Sequence, residues 1–181
     1  MKYSIVKSEI VVQNQKAMIS DINKAHSFFI EKFGERSDST WMYQWYNTFA
    51  VTSPSSNFYN LYKELSKLIR DFIGTDEPLW LACWINFHMP NEVLDWHDHV
   101  SEYHGYISIE PHKTKTIWKE GLEINNEIGN IYLGEGYKKH KVVVQESFDT
   151  PRITLGFDVL NNPLKNCVVI PVPSFNLMPI L

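Results

Sequence analysis

LWLACWINFHMPNEVLDWHDHVSEYHGYISIEP, residues 79–111, breaks into short runs rich in β-branched and aromatic residues, each closed by turn formers. Such runs read as strands. LWLACWINFH (79–88), DWHDHV (95–100) and HGYISIEP (104–111) are followed by TKTIWKEG (114–121), LEIN (122–125) and GNIYLG (129–134). KHKVVVQE (139–146), PRITLGFDV (151–159) and NCVVIPV (166–172) continue the series. About eight or nine strands at near-regular spacing predict an antiparallel barrel or jelly roll over residues 79–171.

Working back from residue 79, the texture is mixed. Residues 2–13 alternate apolar and polar with β-branched content, which predicts a strand. Residues 25–33 form a short helical pattern. Tyr59, Leu61, Tyr62, Leu65, Leu68, Ile69 and Phe72 recur at helical spacing, with Ser56 as the N-cap and Gly74 as the stop. This amphipathic helix is expected to pack on one sheet face. The aromatic run at 41–49 is expected to cover one mouth of the barrel. The fold class is therefore mainly β with N-terminal helices, a barrel buttressed by one or two of them. Residues 1–76 act as support in a single domain spanning 1–181.

Composition narrows the function. The 181 residues are 44% hydrophobic and 14% aromatic, with six Trp, which suits a globular core rather than disorder. Seventeen Lys and Arg against 21 Asp and Glu give a formal charge of −4. With no long basic run, no nucleic-acid partner is expected. No stretch approaches the roughly 18 apolar residues of a membrane span, so no membrane partner is expected. The N-terminus lacks an apolar leader, and Cys83 and Cys167 form no C-x-x-C, which points to free thiols and a cytoplasmic location.

The chemistry-bearing residues are His97-Asp98-His99, His140 and Arg152. In a strand, residues two apart share a face, so His97 and His99 project together while Asp98 points away. A third imidazole from a distant strand completes a facial three-ligand metal site with open positions. Asp95 shares parity with His97, and with Asp98 it is an alternative source of a carboxylate ligand. Arg152 and Thr154 share a face of PRITLGFDV. An inward Arg in an apolar barrel is a costly charge that a bound carboxylate would resolve. Asn86 and His88 are polar groups on one face of the apolar strand WINFH.

WHDHVSEYHGYISIEP and GNIYLGEGYKKHKVVVQESFDTPRITLGFDV resemble the prolyl-hydroxylase-like subgroup of the 2-oxoglutarate/Fe(II)-dependent dioxygenases. The resemblance covers roughly residues 79–160. It implies a double-stranded β-helix, the cupin-like jelly roll, in which His97, His99 and His140 hold Fe(II). Arg152 and Thr154 would hold the 5-carboxylate of 2-oxoglutarate. Asn86 stands where several such enzymes carry Asn-x-Tyr against this co-substrate, with His88 in the Tyr position, and Tyr106 lies in the strand lining its pocket. Trp96 and Tyr103, with the aromatics of 41–49, would line the substrate mouth. Most of the superfamily carries Asp or Glu where this chain has His99. The implied reaction hydroxylates an unactivated C–H bond with release of succinate and CO2, with ascorbate as an accessory reductant.

Two other readings stand beside it. One is a three-His cupin metalloenzyme that does not use 2-oxoglutarate, although such a site leaves Arg152 and Thr154 without a role. The other is a β-sandwich binding module whose histidines bind nothing. The expected partner is a small-molecule or peptide substrate; the oligomeric state stays open, with the aromatics of 41–49 as a candidate homodimer contact.

Overall fold

A computed structural model describes residues 2–34, 46–161 and 176–181. Its N-terminal third departs from the sequence expectation. The strand β1 spans only Tyr3–Lys7, and helix α1 runs from Glu9 to Phe33. Ser8 stops the strand because its side chain accepts from the Val11 backbone N–H and caps the helix. Val11, Met18, Ile22, Ala25 and Phe29 are buried at three-, four- and seven-residue intervals, a helical period that outweighs the short alternation.

A short helix, α2 (Thr48–Val51), precedes α3 (Ser56–Ile73). The cap of α3 is Ser55, one residue earlier than expected, and Gly74 ends it in the left-handed conformation. Of the aromatic run, residues 41–45 lie outside the described residues. Phe49 packs in the core against Phe58 and Tyr62, not at a barrel mouth.

The strands that follow are β2 (Trp80–His88), β3 (Tyr103–Glu110), β4 (Thr114–Trp118), β5 (Glu123–Asn125), β6 (Asn130–Glu135), β7 (His140–Val144), β8 (Arg152–Leu160) and β9 (Leu177–Pro179). They form two antiparallel sheets. The larger runs β1-β6-β3-β8-β2-β9 and the smaller β5-β4-β7. The expected strand at 166–172 lies outside the described residues. The expected strand at 95–100 is instead a loop carrying one isolated bridge, His97 to His140.

The large sheet is covered on both faces, and the pleat sorts its residues between them. Leu81, Cys83, Ile85, Ile107, Ile109, Leu155 and Phe157 join the core with α1 and α3. Residues of the opposite parity face the small sheet, where Tyr106 and Tyr132 pack with Trp118 and Ile124. Tyr103 belongs to the helix side, edge-on to Phe72, rather than to a substrate mouth. Burial pushes the Cys83 thiol up to about 12. Cys167 lies outside the described residues.

Candidate functional site

The second face of the large sheet carries an unusual row of polar side chains. Asn86 and His88 on β2, His104 and Tyr106 on β3, and Arg152 and Thr154 on β8 line one cleft. Thr116, His140 and Val142 close it from the small sheet, and His97 and His99 from the loop between β2 and β3.

Backbone hydrogen bonds put the H-x-H loop there. His97 N–H donates to the His140 carbonyl at 3.0 Å and His140 N–H returns to His97 at 2.9 Å. His99 N–H donates to the Gly136 carbonyl at 2.8 Å, Gly136 N–H to Glu102 at 3.0 Å, and Val142 N–H to Leu94 at 3.1 Å. The loop thus pairs with two separate places on the β6–β7 hairpin, which prevents a continuous ladder. The strand pleat is therefore not what aligns His97 with His99.

Gly136 permits this approach, since a Cβ there would lie 2.1 Å from the Ser101 carbonyl oxygen. A backbone atom cannot rotate away. Gly136→Ala is expected to cost about 1–3 kcal/mol, a usual overpacking penalty. It is also expected to weaken cation uptake by displacing His99; melting and metal titration of the variant check both.

The three imidazoles converge. Ring centroids of His97 and His140 are 4.3 Å apart, of His97 and His99 5.4 Å, and of His99 and His140 5.5 Å. One nitrogen from each falls within 4.8 Å of the others. His97 Nδ1 donates to the Asp95 carbonyl at 2.7 Å and His140 Nδ1 to the Lys138 carbonyl at 3.0 Å. His99 Nδ1 lies 3.3 Å from Asp158 Oδ1, and its buried Nε2 has no partner. With Nδ1 anchored, Nε2 is the nitrogen left for a cation on each ring, an outer-shell arrangement that fixes tautomer and aim. Burial lowers the His97 pKa and depresses that of His140 to about 2, with neighbouring imidazoles adding to the shift. Neutral imidazole is the form that binds metal, so this donor set fits a divalent transition ion.

Neither alternative carboxylate takes part. The Asp95 backbone carbonyl serves His97, and Asp98 lies 3.9 Å from Lys139 at the surface. The carboxylate beside the cleft is that of Asp158. It contacts His99 and, at 3.0 Å, His104 Nδ1. Burial would raise the Asp158 pKa, but His99 and His104 hold it well below the usual carboxylate range. Sequence reasoning missed both His104 and Asp158. The available signal was parity: His104 shares its pleat face with Tyr106, and Asp158 shares its own with Arg152 and Thr154.

Beyond the imidazoles the cleft is cationic. Arg152 is 3% exposed, and among the described residues no carboxylate pairs with it. Its Nη1 donates to Thr154 Oγ1 at 3.4 Å, and its buried Nε has no partner. Burial lowers its pKa to about 10. His88 lies directly across the ladder from Arg152, and neither of its ring nitrogens has a partner. Asn86 Nδ2 donates to Thr154 Oγ1 at 3.4 Å while its Oδ1 is unpaired. Buried orphans of this kind cost free energy unless a ligand satisfies them. Tyr106 lines the wall with its ring, but its hydroxyl donates to Asn126 Oδ1 at 3.0 Å.

Trp96, expected at a substrate mouth, is 38% exposed, with the Lys119 and Lys141 ammonium groups over its ring.

The buried histidines also predict acid sensitivity. Burial lowers His88 and His104 to about 4 and His140 to about 2, against roughly 6.5 in the unfolded chain. Between these values the unfolded state binds more protons, so stability falls as pH drops from about 6.5 toward about 4. Each such histidine contributes a slope of up to about 1.4 kcal/mol per pH unit. Denaturant unfolding of the metal-free protein across this range measures it; a flat profile contradicts buried neutral imidazoles.

Neither a protein-family model nor a curated protein sequence matches the chain. Solved structures do. A non-heme α-ketoglutarate-dependent carbocyclase of nogalamycin biosynthesis, SnoK, aligns with TM-score 0.57 at 11% identity, covering 87% of this chain and 79% of its own. The epimerase SnoN, in complex with Fe3+, α-ketoglutarate and nogalamycin RO, aligns with TM-score 0.58 at 9% identity over 88% and 78%. A Pseudomonas putida prolyl-4-hydroxylase aligns with TM-score 0.53 at 10% identity over 87% and 86%. The chain has the fold of the 2-oxoglutarate-dependent non-heme oxygenases. Its two sheets are thus the double-stranded β-helix expected from the sequence, with the described cleft between them. Among the described residues, no helix is long and apolar enough to cross a membrane.

Proposed function

We propose that this protein is an Fe(II)- and 2-oxoglutarate-dependent dioxygenase that hydroxylates a C–H bond of a small-molecule or peptide substrate. The observation that carries the reading is Arg152: a buried guanidinium that pairs with no carboxylate among the described residues, in the same cleft as three imidazoles whose Nε2 atoms are left for a cation. A dicarboxylate with one end at the metal and the other at Arg152 satisfies both halves of the cleft. The fold shared with α-ketoglutarate-dependent enzymes supports the same chemistry.

His97, His99 and His140 would hold the iron. Arg152 would take the far carboxylate of 2-oxoglutarate as a charge-assisted pair, with Thr154 positioning the guanidinium. Asn86 and His88 offer unpaired polar atoms on the same wall, and the Tyr106 ring shapes it. When bound, iron and 2-oxoglutarate supply the oxidising chemistry: O2 and 2-oxoglutarate yield succinate and CO2, with one oxygen atom delivered to the substrate. Ascorbate would keep the iron ferrous. The chain's own part is to orient the co-substrate and to exclude water from a largely buried cleft.

Anaerobic addition of Fe(II) and 2-oxoglutarate is expected to give the visible charge-transfer absorption of an iron–oxoacid chelate. Admitting air is then expected to yield succinate. Metal uptake without that absorption would sink the 2-oxoglutarate reading and favour the three-His cupin. No metal uptake would leave the binding module.

A further inference from the structure

The ligand set of this cleft is short of negative charge. His97, His99 and His140 bind a cation as neutral imidazoles, and among the described residues no acidic side chain lines the cleft. A divalent ion and Arg152 bring three positive charges, and a bound dicarboxylate returns two. The remaining positive charge sits in a largely buried space, where an uncompensated charge is costly. Asp158 stands directly behind one of the three imidazoles. It pairs across the ladder with His104, and its Oδ1 lies 3.0 Å from His104 Nδ1 and 3.3 Å from His99 Nδ1. Ser101 Oγ donates to the same oxygen at 2.8 Å. An ionised carboxylate only accepts, so His99 Nδ1 carries its proton and Nε2 keeps its lone pair for the ion. His104 lies flat on His99, centroids 3.4 Å apart and planes 12° from parallel, so its own Nε2 lone pair runs beside that of His99 rather than toward the same ion. His104 is thus a clamp on the carboxylate and on the His99 ring. The Nδ1 atoms of His97 and His140 face neutral backbone carbonyls, those of Asp95 and Lys138. Of the three ligands, His99 is the one backed by a charge, and it holds the position where most of the superfamily carries Asp or Glu.

We propose that Asp158 is a positioning residue that supplies, through His99, the anionic charge the ligand set itself lacks, a proposal that rests on reading this cleft as the iron site of a 2-oxoglutarate enzyme. A carboxylate behind a metal-bound histidine fixes its tautomer and aim and makes the ring a more basic donor. Asp158 acts without binding the ion, so the positions needed by the co-substrate and by O2 stay open.

The test compares wild type, Asp158→Asn, Asp158→Glu and the surface control Asp98→Asn. Asn keeps an oxygen acceptor for Ser101 and the two imidazoles and removes the charge; Glu keeps the charge and alters the fit. Metal-free melting shows which variants are folded. Anaerobic Fe(II) titration and the Fe(III)/Fe(II) potential of the iron-loaded chains are then measured. Asp158→Asn is expected to weaken Fe(II) binding by about tenfold to a hundredfold, as outer-shell changes do. Fe(III) binding is expected to weaken by at least about tenfold more, which raises the potential by about 59 mV or more. Asp158→Glu and Asp98→Asn are expected to leave the potential near that of wild type. A folded Asp158→Asn chain whose potential does not move overturns the proposal, even if its affinity falls, because a merely structural role predicts that result. An equal rise in either of the other variants overturns it as well. Nitrogen NMR of the Zn(II)-loaded wild type tests the orientation without any substitution: His99 is expected to bind through Nε2 with Nδ1 protonated, and binding through Nδ1 overturns the proposal. In each of these cases the iron–oxoacid absorption of wild type still stands for the 2-oxoglutarate reading. A wild-type chain that takes up no iron overturns that reading, and the proposal with it.

Discussion

His140→Ala is expected to lower the affinity for Fe(II) or Co(II) by about a hundredfold to a thousandfold. Four-ligand structural zinc sites reach binding free energies of roughly 10–16 kcal/mol, an average of about 2.5–4 kcal/mol per ligand, and a comparable share is expected for His140. His140 is also the hinge of the site. Its backbone exchanges both hydrogen bonds with His97, and these survive in the variant because they need no side chain. The loss is therefore expected in metal uptake rather than in folding. The metal-free variant is expected to lose about 0.5–3 kcal/mol of stability, the usual range for a single substitution, and to remain folded. Calorimetric titration of metal, paired with metal-free melting, separates the two quantities. A variant that binds as tightly as wild type would remove His140 from the cation site.

Arg152→Leu is expected to act in opposite directions on stability and on ligand binding. In the ligand-free protein Arg152 is buried, its Nε is unpartnered, and its one hydrogen bond to Thr154 is 3.4 Å long. Replacing a poorly compensated buried charge with an apolar side chain is often neutral or stabilising by about 1–4 kcal/mol. The same change leaves a bound carboxylate without its partner, a loss of about 2–5 kcal/mol, or roughly thirtyfold to several thousandfold in co-substrate affinity. His88 supplies an internal reporter. Burial first, and the Arg152 charge second, hold its pKa at about 4, so removing the guanidinium is expected to raise it. Denaturant unfolding, 2-oxoglutarate titration and the histidine resonances of the variant read these three effects. A large loss of stability in the ligand-free variant would mean that Arg152 is a structural residue rather than half of a binding pair.

The residues behind these expectations differ in how plainly the amino-acid pattern marks them. Arg152 and Thr154, and Asn86 and His88, stand out because polar residues two apart in an apolar strand mark one pleat face. The strands from 80 to 160 are legible for the same reason, and so is α3, through its helical period and Gly74 stop. The N-terminal segment misleads because alternation over a dozen residues also fits a helix start, and Ser8 is a local cap rather than a long-range signal. The carboxylates near His97 in sequence are Asp95 and Asp98. The one beside the imidazoles is Asp158, 59 positions from His99, brought there by the pairing of β3 with β8.

The chain by itself determined which residue types alternate, and hence which side of each strand is polar, because side-chain direction follows from the local backbone. It determined the donor chemistry too: imidazoles for a cation and a guanidinium for a carboxylate. Only the tertiary structure decided which polar rows meet. Ladder register sets His104 against Asp158 and His88 against Arg152, and hydrogen bonds from the β6–β7 hairpin hold the H-x-H loop over the cleft. Register and loop closure depend on contacts far apart in sequence, and no local pattern encodes them.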